Sequence, residues 1–395
     1  MKLCLSQKTN ISTSSGLVFF EASLSNAVTD SLRLKVEVIE STSSGLEIDD
    51  VKSKNIIGFH THLLGDGEHH VRFTLLDDKA IIDSVEDMIR LEGATDFHQI
   101  VRDALIANDT PLIFDGLCDS SFYPYDDESV KAWFDKSDAE NHILTLLESE
   151  VINEKEAGYL RDFVRQGFVV MEDMIDDELV DKVNAEIDAA ISNGYEGYEI
   201  GSSHRLEQLH VHYPNMRDLW LDKRYRRMVD LIFNAQSRPC QTLTFVYGSQ
   251  QPPHQDLIYL TPFPAGYMCG TWIALQDVVE NSGELIVYPG SHREKRIYLK
   301  NIGCSKVDGE SDELDSKIYP MWADTASRYE PFVYRPKKGT VLIWHENLLH
   351  SGSIRLDKSL ERRSVVIHSF VNGSIVYYDS TGNAGNVASL DDCNI

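Results

Sequence analysis

The stretch Pro252-Pro253-His254-Gln255-Asp256-Leu257 follows an extended run, residues 241–247, and the rest of the chain is read from it. A His and an Asp two apart on a strand point to the same side, because side chains alternate with period two. Two imidazoles and one carboxylate on one face of a metal leave the opposite face open, which is the ligand set of a mononuclear Fe(II) site that activates O₂. A lone His-x-Asp says little in a chain with 14 histidines and 63 acidic residues, so a third ligand must come from another strand. Thr340-Val341-Leu342-Ile343-Trp344, entered from Lys338-Gly339, is such a strand and leads to His350-Ser351-Gly352-Ser353. Arg362-Arg363 then opens a last strand, residues 364–370. The order His254, Asp256, His350, arginine is far more specific than the pair alone.

Between these residues lie Trp272-Ile273-Ala274-Leu275-Gln276-Asp277 and Gly283-Glu284-Leu285-Ile286-Val287-Tyr288-Pro289-Gly290-Ser291-His292-Arg293. With them the chain resembles the phytanoyl-CoA dioxygenase (PhyH-like) family over roughly residues 154–378, starting at the segment 161–171 (RDFVRQGFVVM). The first third of the chain lies outside the resemblance. The family implies a double-stranded β-helix (jelly-roll, cupin-like) with flanking helices, and the cofactors Fe(II), 2-oxoglutarate and O₂. It implies His254, Asp256 and His350 as metal ligands, with 2-oxoglutarate taking two open positions and O₂ the third.

The far carboxylate of 2-oxoglutarate wants a guanidinium, whose planar fork matches it in a way a lysine cannot. Where the family usually carries that arginine, this chain has Glu361. A one-residue insertion accounts for the shift: the usual His-x-Ser becomes His350-Ser351-Gly352-Ser353, so Ser353 takes the serine role and Arg362 the arginine role. Arg363, by alternation, faces away. Trp272 matches a family tryptophan beside the cosubstrate and reads equally well as a barrel-core aromatic. Thr242 and Thr244 are inward candidates for a hydroxyl contact to 2-oxoglutarate, with Thr244 preferred. Related halogenases lack the carboxylate, so Asp256 points to C–H hydroxylation, or to a related desaturation or cyclisation, with 2-oxoglutarate leaving as succinate and CO₂.

A length of 395 residues allows two or three domains. The net charge of −26 argues against nucleic acid or an anionic membrane as partner. Six scattered cysteines without a C-x-x-C pair suit reduced thiols. The N-terminus lacks the apolar core of a secretory signal, and no run reaches the length of a membrane span. The expectation is a cytoplasmic protein.

The expected class is α+β to mainly β. Residues 1–79 read as a small antiparallel sandwich, since Leu32, Leu34, Val36 and Val38 alternate with charged residues, and Gly65-Asp66-Gly67-Glu68 signals a hairpin. His60, His62, His69 and His70 fall on exposed strand positions in this reading. Residues 80–150 read as a helical connection, with Ile82, Val85, Met88 and Ile89 on one helix face. The oxygenase barrel occupies 151–380, a candidate lid lies in 306–322, and 381–395 is a polar tail. His204, His210 and His212, the last two on a strand, are candidate substrate contacts. The substrate expected is a small metabolite, sugar or glycan precursor; the alternatives are a non-catalytic binding protein on the same barrel and a zinc hydrolase, which leaves Arg362 and Ser353 without a role.

Overall fold

The computed structural model describes residues 1–7, 17–26, 28–42, 45–92, 96–116, 123–304, 314–380 and 386–387. The N-terminal part consists of two four-stranded antiparallel sheets. One runs Leu3–Gln7, Leu17–Leu24, Lys54–His60, Ile113–Asp115, and the other Leu46–Ile48, Leu32–Val38, Gly67–Asp77, Ala80–Leu91. Their inner faces meet in one core, in which Val18, Phe20, Ile57 and Phe59 face Leu34, Val36, Phe73 and Leu75. Alternation is sufficient reason for Leu32–Val38, which buries every second residue.

Three expectations are corrected here. Residues 80–91 form a strand, not a helix, because the long hairpin with Gly67–Asp77 satisfies their backbone groups, turning at Asp78 (φ 51°). Ile82 and Met88, apparent members of a helical face, are exposed, and the sheet continues past residue 79. The glycines at 65 and 67 do not close a hairpin. Lys54–His60 pairs with Leu17–Leu24 and Ile113–Asp115, while Gly67–Asp77 belongs to the other sheet, so the short helical turn Thr61–Leu64 carries the chain across. His60 and His62 are buried rather than exposed, and their rings lie 5.7 and 6.3 Å from that of Phe263 in the C-terminal part. Burial pushes His60 down to about 3.

The C-terminal part is a jelly roll. Its larger sheet has the order Leu206–Glu207, Ser237–Phe245, Ser364–Val371, Met268–Ala274, Val341–His345, Phe168–Met171. The smaller sheet is Phe332–Tyr334, Leu285–Val287, His350–Gly352. Leu243, Phe245, Trp272, Leu342, Trp344 and Val366 from the larger sheet pack on Leu285, Val287 and Tyr334 from the smaller. Helices cover the outer face of the larger sheet. The first, Glu154–Gln166, starts in a capping box between Asn153 and Glu156. It stops at Gly167 (φ 84°), where a Cβ would meet the His292 ring at 2.5 Å. Between the strands Leu285–Val287 and Phe332–Tyr334, the helix Tyr319–Ala326 buries Trp322 against Leu257, Ile258 and Leu349. The rest of the candidate lid, 306–313, lies outside the described residues, as does nearly all of the tail.

A buried ionic network ties the loop before the helices to the barrel. Asp135 accepts from His345 Nε2 (3.1 Å), Arg296 (3.2 Å) and Tyr125, while Arg296 also pairs with Glu346 (2.8 Å) and lies 3.6 Å over the Tyr125 ring. Burial alone would raise the Asp135 carboxyl, but His345 and Arg296 outweigh it and hold it below the usual carboxylate range. Arg296→Met should cost about 3–5 kcal/mol in chemical denaturation, since it strands two buried carboxylates. The Asp135 contribution is present above the ordinary carboxylate pKa of ~4 and is lost as pH falls below it. A wild-type-like midpoint for Arg296→Met would refute this.

Candidate active site

His254 and His350 meet in an isolated antiparallel bridge. The His254 N–H donates to the His350 carbonyl (3.0 Å) and the His350 N–H to the His254 carbonyl (3.1 Å). Their ring centroids are 4.3 Å apart. Nδ1 of His254 faces the Pro252 carbonyl (2.8 Å) and Nδ1 of His350 that of Leu348 (3.1 Å). A carbonyl can only accept, so each Nδ1 carries the proton and each Nε2 keeps its lone pair. Both Nε2 atoms face Oδ1 of Asp256, at 3.7 and 3.6 Å.

Asp256 opens a 3₁₀ turn, Asp256–Ile258, yet Gln255 before it is extended (φ −115°, ψ 137°), and this returns Asp256 to the side of His254. The Gln255 side chain points elsewhere: it donates to Asn347 and accepts from Trp322 Nε1 (2.9 Å), which couples the helix Tyr319–Ala326 to the ligand turn.

The donor atoms of His254, Asp256 and His350 lie within 4.8 Å of one another, and all three residues are buried. Burial and the neighbouring His350 push His254 down to about 4, so it is neutral near pH 7. For Asp256 burial acts upward, but His350, His368 and His254 together hold the carboxyl below its usual range. Two lone-pair imidazoles and an ionised carboxylate on one side fit a divalent metal of the Fe(II) kind.

A cavity of about 420 Å³ opens beside them. Arg362 lies in its wall, 3% exposed; its Nε donates to the Gly283 carbonyl (3.0 Å), Nη1 donates to Ser364 Oγ, and its guanidinium lies 5.4 Å from the Trp272 ring. No carboxylate among the described residues forms an ion pair with it. Burial lowers it to about 10, so it stays charged near pH 7. Arg363 points outward to Asp188 and Glu361, each at 2.8 Å. Trp272 is buried in the cavity wall.

Other candidates are not brought to the cavity. The strand Ser237–Phe245 is irregular between Pro239 and Gln241, and beyond this point Gln241, Leu243 and Phe245 face inward. Thr242 and Thr244 therefore face away; Thr242 bonds His210 Nδ1 (3.0 Å), and the Thr244 hydroxyl is buried outside the cavity. Ser353 donates to Glu284 Oε2 (2.8 Å), and Ser351 and Gly352 line the cavity in its place. Residues 209–211 are a 3₁₀ turn, not a strand. His210 stacks on Trp220 (4.0 Å), and His204 and His212 are exposed away from the cavity.

Sequence reading passed over His368, Trp344, Gln241, Tyr259 and Tyr319, all in the wall. For His368 a signal was available: Arg362, Ser364, Val366 and His368 are spaced by two, so an inward Arg362 brings His368 with it.

Residues 163–356 match the family model described as phytanoyl-CoA dioxygenase (PhyH). These residues are a PhyH-family domain. Among curated relatives, phytanoyl-CoA dioxygenase domain-containing protein 1 of Danio rerio is 40% identical over 110 residues, 26% of this chain and 33% of that protein. Its Mus musculus counterpart is 24% identical over 184 residues, 44% of this chain and 58% of that protein. The matches thus span less than two thirds of either relative. Among solved structures, EctD from S. alaskensis in its apoform has a TM-score of 0.46 at 18% identity, covering 58% of this chain and 80% of that one. The alpha-ketoglutarate-dependent carbocyclase SnoK from nogalamycin biosynthesis has a TM-score of 0.45 at 18% identity, covering 59% of this chain and 88% of that one. No described helix is long and apolar enough to cross a membrane. Cys4 and Cys269 are free thiols.

Proposed function

We propose that the PhyH domain is an Fe(II)- and 2-oxoglutarate-dependent dioxygenase that hydroxylates an unactivated C–H bond of a small molecule. The observation that carries the reading is the pairing of two unlike features in one cavity: a buried three-ligand metal face, and a buried guanidinium with no carboxylate partner among the described residues. An unpaired buried charge is costly, so Arg362 calls for an anion as part of the working complex. With Fe(II), O₂ and 2-oxoglutarate bound, the centre supplies the oxidant for the C–H bond and leaves succinate and CO₂.

The chain's own residues do the rest. His254, Asp256 and His350 hold the metal, Arg362 grips the far carboxylate of 2-oxoglutarate, and Trp272 shields that ion pair from water. Trp322, Leu257, Ile258 and Leu349 form a dry wall behind the ligand turn. On the substrate side Tyr259, Tyr319, Gln241, Gln251 and Ser249 offer hydroxyl and amide groups. Such a wall suits a hydroxyl-rich compound such as a sugar or glycan precursor, and the helix Tyr319–Ala326 would act as the lid. The test is succinate release with Fe(II), O₂ and 2-oxoglutarate, uncoupled and then with sugars and sugar conjugates. No succinate under any condition, with iron bound, would overturn the reading in favour of a binding protein.

A further inference from the structure

The two oxygens of Asp256 have different surroundings. Oδ1 faces Nε2 of both histidines. Oδ2 accepts from Trp344 Nε1 (2.8 Å) and from His368 Nε2 (3.3 Å). The His368 tautomer is set from behind, because the Gln241 amide Nε2 donates to His368 Nδ1 (2.9 Å), which leaves the proton on Nε2. Gln241 and His368 sit directly opposite in the register of their strands, so the backbone holds the pair in place. Trp344 is held by a different device. It pairs with Gly270, where any Cβ would meet the indole at 2.1 Å, and its ring lies 4.8 Å from that of His350.

We propose that His368, fixed by Gln241, and Trp344 are positioning residues that occupy Oδ2, so that Asp256 offers only Oδ1 to the metal. This rests on the metal site proposed above. A carboxylate can bind a metal through one oxygen or two. Binding through two would take a position needed by 2-oxoglutarate or O₂. Two N–H donors on Oδ2 make that second contact expensive, since both hydrogen bonds would have to be given up. They also orient the carboxylate before metal arrives.

The test is an oxygen-free Co(II) titration of the metal-free full chain, reading affinity and the visible d–d spectrum. Wild type should bind one Co(II) at a site lost in His254→Ala. His368→Phe and Trp344→Phe should each weaken Co(II) by about 10–100-fold, the usual cost of removing a partner of a metal ligand. Both should also change the d–d intensity, as the carboxylate swings to a two-oxygen mode. His368→Gln, which restores an amide N–H toward Oδ2, should recover much of the affinity and the spectrum; a packing role would instead favour Phe over Gln. Gln241→Leu frees the His368 tautomer while leaving Asp256 and His368 in place, and should shift both readings in the same direction. It decides the matter should His368→Phe not fold. Wild-type affinity and spectrum in folded His368→Phe, or in Gln241→Leu, with the metal lost in His254→Ala, would overturn the positioning role and leave the metal site standing. Full Co(II) retention by His254→Ala would overturn the metal site itself.

Discussion

Replacing His254 or Asp256 with alanine is expected to abolish stoichiometric metal binding and 2-oxoglutarate turnover while the fold survives. The two residues act from one short turn, and their donor atoms lie within 4.8 Å of each other and of the His350 ligand atom. Loss of either leaves a two-ligand site, too weak to hold Fe(II) against buffer and chelators. The fold should persist because neither side chain belongs to the apolar cores, and the backbone bridge between residues 254 and 350 does not depend on side chains. The contrast is readable without catalysis. Wild type should gain thermal stability with added Mn(II), by about 2.7 kcal/mol at a hundred times Kd, and the variants should gain none. Stoichiometric metal and normal turnover in either variant would sink the triad.

Arg362→Ala should raise the 2-oxoglutarate KM by at least about an order of magnitude, and Arg363→Ala should move it little. Truncating one partner of a buried charge pair costs roughly 2–5 kcal/mol, and each ~1.4 kcal/mol is tenfold. Arg362 stands in the cavity wall with its Nε and Nη1 held by Gly283 and Ser364, which fixes the plane of the fork. Arg363 spends its donors on Asp188 and Glu361 outside the barrel. Arg362→Lys should rescue only in part, because an ammonium lacks the bidentate geometry. A KM that responds to Arg363 and not to Arg362 would place the cosubstrate elsewhere.

How far local pattern carries differs along the chain. The alternation in residues 32–38 was legible, because that strand has one wet face. Residues 80–91 misled, because an exposed strand needs no apolar period and its stray apolar residues mimicked a helix. His210 and Thr242 were both read as site residues, and they hydrogen bond to each other outside the cavity instead. One irregularity near Pro239 sets the phase of the strand after it, and composition does not reveal such a shift.

By itself, the sequence determined the order His254, Asp256, His350, Arg362, the spacing of the first pair, and the opposite facing of Arg362 and Arg363. All of these follow from residue identity and the two-residue repeat of extended chain. Only the tertiary structure decided which serine reaches the cavity, that Gln241 rather than Thr244 faces it, and that Trp344 and His368 share one oxygen of Asp256. Those outcomes depend on register between strands far apart in the chain, where a shift of one residue turns every side chain to the other face.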